Sequence, residues 1–176
     1  MRCVGSANLG AFLVCCVLTA CGESPRSRAA EMWEFGRPIA FDSEQLAALD
    51  KFFALELKWA DASMINIEEA PPAATEEDEA MLHGRALSGT AAPAIKLAKE
   101  KCIQDGSVRV LPRPMLGGPW IDRDSGYALV FGTYPEIGAL AFRIDKDQQP
   151  DVWPLLVELE RSRRLVSDAI ESKQRR

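Results

Sequence analysis

The chain has 176 residues, 47% hydrophobic and 27% charged, with a formal net charge of −5. Those proportions suit a globular domain with a tail, and they exclude wholesale disorder, a collagen-like chain and a multi-span membrane protein. The acidic balance argues against nucleic acid as the main partner, because phosphate binding needs a basic footprint.

Residues 1–20 hold one charge, Arg2, and no acid. Gly5, Ser6 and Asn8 lead into an apolar run of about twelve residues, Leu9 to Ala20. A bilayer core needs about twenty, so the run is read as the core of a signal peptide. Leu18-Thr19-Ala20-Cys21 resembles the lipobox of bacterial lipoproteins, in which an aliphatic residue and two small ones precede a cysteine. Small residues let the peptide lie extended in a narrow peptidase groove, and the thiol is the nucleophile that takes up diacylglycerol. The resemblance covers the first twenty-one residues only. It implies cleavage before Cys21, a palmitate-bearing lipid on Cys21 and attachment to the cell envelope. Gly22 stands where an Asp would resemble an inner-membrane retention signal, which implies the outer membrane, facing the periplasm. Of five cysteines, Cys3, Cys15 and Cys16 leave with the signal and Cys21 is acylated, so Cys102 has no partner for an internal disulfide.

Residues 21–38 read as a lipidated tether, polar and breaker-rich at its start. A flexible tether of this length holds a domain roughly 20–25 Å from the lipid. Trp33 and Phe35 break the pattern; they either fold back onto the domain, the preferred reading, or sit at the lipid interface. Residues 39–176 form the single domain. Asp42 and Gln45 are spaced as a capping box, with Phe41 and Leu46 placed as a hydrophobic staple. Leu46, Leu49, Phe53, Leu57, Ala60 and Met64 recur at helical spacing. Phe52, Leu55 and Trp59 widen the stripe to about half the helix, the mark of a deeply packed helix, and Glu56 falls inside the apolar arc.

Residues 66–79 are acidic and carry Pro71-Pro72, hence a loop. Thr75 reads as the N-cap of a short second helix with an acid-rich first turn, interrupted by Gly84 and Ser88-Gly89. A third helix is expected from about Ala91, with Pro93 in its first turn. Ile95, Ala98 and Cys102 share a face, Lys96, Lys99 and Lys101 load the later turns, and Gly106 is the C-cap. Val108–Val110, Tyr127–Phe131 and Ala139–Ile144 alternate as strands, and Tyr134–Gly138 has hairpin length. They predict a small antiparallel meander with one face buried. Asp151 is expected to cap a last helix through about Ser172. Helices, then strands, then a helix predict an α+β domain, the meander packed against three to four helices.

Chemical signatures are sparse. His83 is the single histidine, with no patterned partner base, and reads as a solvated surface residue. Cys102, on an apolar helix face, reads as buried and structural. Asp122-Arg-Asp124-Ser-Gly126 is similar to the start of a calcium loop, but Ser125 occupies a ligand place, and turn chemistry explains the segment. Glu56 is the one ligand-binding candidate: a carboxylate in an apolar arc must be paired, neutral or at an edge, and Arg109 and Arg143 of the sheet are its candidate partners. The acid run Glu68–Glu79 and the basic end, Arg161 to Arg176, read as solvated faces. Basic residues near anionic head groups gain about 1 kcal/mol each.

The expectation is a lipid-anchored envelope protein whose domain is a binding or interaction module: a scaffold, an inhibitor or an assembly accessory. Its partners are the membrane, through the lipid on Cys21, and an envelope protein. No cofactor, metal or catalytic residue is assigned. The alternative is an envelope hydrolase or a small-ligand carrier with its site near Glu56. A deep pocket converging on Glu56 would favour the alternative; a closed core with an exposed patch at Met115, Leu116 and Trp120 would favour the module.

Overall fold

The structure, a computed structural model, describes residues 28–63, 72–115 and 117–175. The lipobox with Cys21, Met64, the start of the 66–79 loop and Leu116 lie outside the described residues. Within them the elements run α1 (Arg28–Phe35), β1 (Arg37–Pro38), α2 (Ser43–Ser63), α3 (Glu76–Gln104), β2 (Val108–Val110), β3 (Trp120–Asp122), β4 (Tyr127–Tyr134), β5 (Gly138–Asp145) and α4 (Trp153–Gln174). The fold is α+β: the five strands form one antiparallel sheet in the order β1-β2-β5-β4-β3, with helices packed against it.

The β4–β5 hairpin is the spine of the sheet, in register from Tyr127 opposite Asp145 to Tyr134 opposite Gly138. Pro135 sets the turn, Glu136 takes a positive φ of 70°, and the Ile137 N–H donates to the Tyr134 carbonyl at 3.3 Å. Because Ala128 faces Ile144 and Val130 faces Phe142, strand alternation sends these residues to one side of the sheet and Tyr127 and Leu129 to the other. On the first side, Leu140, Phe142 and Ile144 meet Leu49 and Phe53 of α2, Ala98 and Cys102 of α3, and Leu156 of α4.

The second side corrects the expectation of one buried face. Tyr127 and Leu129 are covered by Ala29, Met32 and Trp33 of α1, and Ala139 and Ala141 by Leu111 and Met115. Residues expected to be tether are therefore part of the domain, which reaches back from residue 39 to Arg28. The cause is the apolar row at alternate positions of β4, which needs a cover that α2, α3 and α4 do not supply. Trp33 folds back, its ring 4.4 Å from the Arg109 guanidinium, while Phe35 stays exposed. Arg109 lies so close over Gly36 that a Cβ there would come within 2.7 Å of the arginine Cβ.

The capping box forms as spaced: Gln45 N–H donates to Asp42 Oδ1 at 2.8 Å, and Asp42 N–H to Gln45 Oε1 at 3.2 Å. The buried stripe of α2 is narrower than expected. Leu49 and Phe53 are buried, but Leu46, Leu55 and Trp59 are exposed, Trp59 by 73%. Thr75 caps α3, accepting from Asp78 N–H at 3.2 Å.

The two helices expected between Thr75 and Gln104 are one, with Pro93 in its interior. Gly84 and Gly89 are not breaks. A Cβ on Gly84 would lie 3.7 Å from Cβ of Ser162 on α4, so Gly84 belongs to a close helix–helix seam, and Gly89 is buried further along the same helix. Packing along that seam outweighs weak local helix propensity. Asp151 does not cap α4: the cap is Val152, without a side-chain bond, and Pro154 occupies the first turn. Among the described residues no helix is long and apolar enough to cross a membrane.

Candidate functional site

Glu56 faces neither Arg109 nor Arg143. Both arginines serve the other side of the sheet: Arg109 donates to the carbonyls of Trp33 and Gly36, and Arg143 pairs with Asp145 at 3.1 Å while stacking on Tyr127. The partner of Glu56 is Lys99 of α3, whose Nζ donates to Glu56 Oε2 at 2.7 Å. The same ammonium donates to the Tyr134 hydroxyl at 3.2 Å, and that hydroxyl donates to Glu56 Oε1 at 3.3 Å. Three elements thus converge: α2 supplies the carboxylate, α3 the amine and the end of β4 the phenol. The Lys99 side chain is only 5% exposed, whereas that of Glu56 is 44% exposed. The amine is roofed by the rings of Phe53 at 5.5 Å and Phe142 at 5.4 Å, a cation–π box.

A glycine makes this geometry possible. Gly132 precedes Tyr134 by two residues on the same side of β4, and the Tyr134 ring lies back across it. A Cβ at position 132 would come within 2.5 Å of Tyr134 Cζ. Electrostatically, burial pulls the Lys99 pKa below the ordinary lysine value, although the Glu56 charge and hydrogen bond oppose the shift. Burial, then the Glu56 charge, push the Tyr134 phenol up. Lys99 and Tyr134 were not singled out by sequence alone, yet a signal exists for the lysine. Position 99 is four residues after Ile95 and three before Cys102, inside the stripe that packs on the sheet.

Cys102 is buried on that stripe. Its thiol donates to the Arg143 carbonyl at 3.2 Å and accepts from Gln149 at 3.7 Å, and burial pushes its pKa up to about 11. A thiol held protonated is a poor nucleophile. Asp122 Oδ1 accepts from Ser125 N–H at 3.2 Å, the turn chemistry its spacing predicts. His83 is less isolated than expected. Its Nδ1 lies 2.9 Å from Ser162 Oγ, and its Nε2 lies 3.9 Å from Glu158. A serine, a histidine and an acid in line have the membership of a hydrolytic triad. Ser162, however, is 1% exposed, sealed in the α3–α4 seam where a substrate carbonyl cannot reach it. The contact clasps two helices.

Two grooves flank that seam. One, of about 880 Å³, is lined by Glu76, Glu79, Glu158 and Asp168 with His83 and Arg161, and is acidic in balance. The other, of about 950 Å³, is lined by Arg28, Arg85, Arg163 and Arg164, with Trp120 and Met81. Neither is lined by Glu56, Lys99 or Tyr134. Trp120 is no open patch: it packs edge-on against Phe131 with ring centroids 5.0 Å apart, and the Arg28 guanidinium lies 4.3 Å over its ring. Among the described residues no cluster of three or more histidine, cysteine or acidic side chains gathers as metal ligands. No family model, curated protein or solved structure matches the chain.

Proposed function

We propose that the protein is a bacterial envelope lipoprotein, held by acylated Cys21 at the periplasmic face of the outer membrane, whose α+β domain is a binding module. The observation that carries the module reading is the division between polar chemistry and open surface. The groups able to react are turned on one another: Lys99 and Tyr134 both bond to Glu56, and Ser162 is sealed beneath His83. The concave surfaces are lined instead by groups that hold ligands, above all four arginines around a tryptophan. The hydrolase alternative loses support at Glu56, since that chemistry pairs two carboxylates and the side chains bonded to Glu56 are an amine and a phenol. The carrier alternative needs a cavity there, and neither of the two grooves described is lined by Glu56.

The anchor rests on the lipobox-like run Leu18 to Cys21 and on Gly22 after it. Mass spectrometry of the protein purified from membranes tests it. The expected mature chain begins at Cys21, acylated, and Cys21→Ser retains residues 1–20 and takes up no labelled palmitate. An unmodified amino terminus, or a cut elsewhere, ends the anchor reading. Affinity capture from envelopes tests for a protein partner of the module.

A further inference from the structure

We propose that the arginine groove is a docking site for anionic phospholipid headgroups, the arginines binding the phosphodiester while the exposed Met81 takes the less polar shoulder of the lipid. Charge is the first support. The whole chain is acidic, at −5, yet this groove gathers Arg28, Arg85, Arg163 and Arg164 against a single lining carboxylate, Glu160. Glu160 is already spoken for: it bonds Arg164 at 2.7 Å and Arg123 at 3.0 Å. Arg85 and Arg163 enter no ion pair among the described residues. Arg163 is exposed overall, and the protein around its guanidinium lowers its pKa with no carboxylate to compensate. Unpaired guanidinium forks match the geometry of phosphate oxygens.

Position is the second support, and it selects the membrane over a soluble anion. Arg28 both lines the groove and opens α1. It stands seven residues after Cys21, so even a fully extended chain places it no more than about 25 Å from the lipid attachment point. The chain thus meets the rim of the basic groove within seven residues of Cys21. The acidic groove on the other flank of α4 adds a sense of direction, since an anionic surface repels it while attracting its neighbour.

The inference rests on Cys21 as the anchor, and one preparation tests both. The full protein is purified from membranes, its Cys21 acylation is read by mass, and it is reconstituted in phosphatidylcholine vesicles with or without phosphatidylglycerol. Phenylglyoxal modification is followed by peptide mapping. Arg85 and Arg163 should react about fivefold more slowly with phosphatidylglycerol present, while Arg161, on the acidic side of α4, reacts alike in both. In the double variant Arg85→Gln/Arg163→Gln, protection of Arg28 by phosphatidylglycerol should vanish with the melting temperature unchanged. Equal rates in the two vesicles would overturn the proposal. So would protection of Arg161 to the same extent, the mark of unspecific attraction. Equal protection by inorganic phosphate in phosphatidylcholine alone would reassign the groove to a soluble anion. If Cys21 is unacylated the anchor reading fails separately, and the same protection, measured by adding vesicles to the unanchored chain, still decides the groove.

Discussion

The Glu56–Lys99 pair should respond unequally to loss of its two members. Glu56→Ala leaves an ammonium that is 5% exposed, among three aromatic rings, without its counter-charge. Breaking a fully buried pair this way costs about 3–5 kcal/mol. Here the carboxylate is 44% exposed, so water already screens part of the attraction and the expected loss is about 2 kcal/mol. Lys99→Met is different. It keeps the length of the side chain, removes the desolvated charge and leaves a carboxylate that water and the Tyr134 hydroxyl still solvate. Replacement of a buried charge by a packed apolar group is often neutral or stabilising, so this variant should lie within about 1 kcal/mol of wild type or above it. In urea, with a slope of about 2 kcal/mol/M, the first variant shifts the midpoint down by about 1 M and the second hardly at all. The pH dependence has a sign. Because the folded-state pKa of Lys99 is lowered, the unfolded chain binds more protons in the window between that value and 10.5, and this group's contribution to stability rises with pH there. The deficit of Glu56→Ala should therefore shrink as pH climbs toward 10.5, since a neutral amine needs no counter-charge. Equal destabilisation by both variants, or an unchanged midpoint for Glu56→Ala, would refute this account of the cluster.

Three further outcomes follow from packing. Gly132→Ala should cost about 2 kcal/mol, because the Tyr134 ring must leave its position over residue 132; thermal melts that coincide with wild type would contradict it. A chain beginning at Ile39 should lose roughly 4–5 kcal/mol relative to one beginning at Arg28, since it uncovers Tyr127 and Leu129 and discards Trp33; identical urea midpoints would show that α1 contributes nothing. Cys102 should resist thiol reagents in the native protein. Its raised pKa makes its stabilising contribution full below pH 9.0 and lost as pH rises to about 11, so Cys102→Ala should flatten the alkaline fall in stability, and rapid native labelling would show an open thiol.

What the sequence discloses here is what neighbours in the chain decide. Asp42 and Gln45 satisfy each other across three residues, and Thr75 and Asp78 do the same, so both helix starts could be read directly. The Tyr134–Gly138 turn is equally local. The misread elements are those whose reasons lie far away. Gly84 looks like a break until Ser162 of α4 is placed beside it, and Pro93 looks like the start of a new helix although it lies inside α3. Residues 28–35 look like tether until the second side of β4 needs a cover. Glu56 stood out because its type clashed with its arc, but its partner is 43 residues downstream, and nothing local chooses Lys99 over an arginine of the sheet. The His83–Ser162 contact, 79 residues apart, carries no local signature at all.

The docking of α1 also bears on the order in which this chain can fold. Its helix is synthesised before the other described elements, but the surface that receives it comes from β3 and β4, and the Arg109 guanidinium that holds the Trp33 carbonyl is 76 residues downstream. β1 waits likewise for β2, with only two residue pairs between them. A growing chain therefore carries Trp33 and Met32 uncovered until most of the sheet exists. Closing such long loops late is slow, and it leaves apolar surface open to other chains meanwhile. Of the described elements, α1 should thus be the last to gain protection from hydrogen exchange during refolding, although it is made before the others.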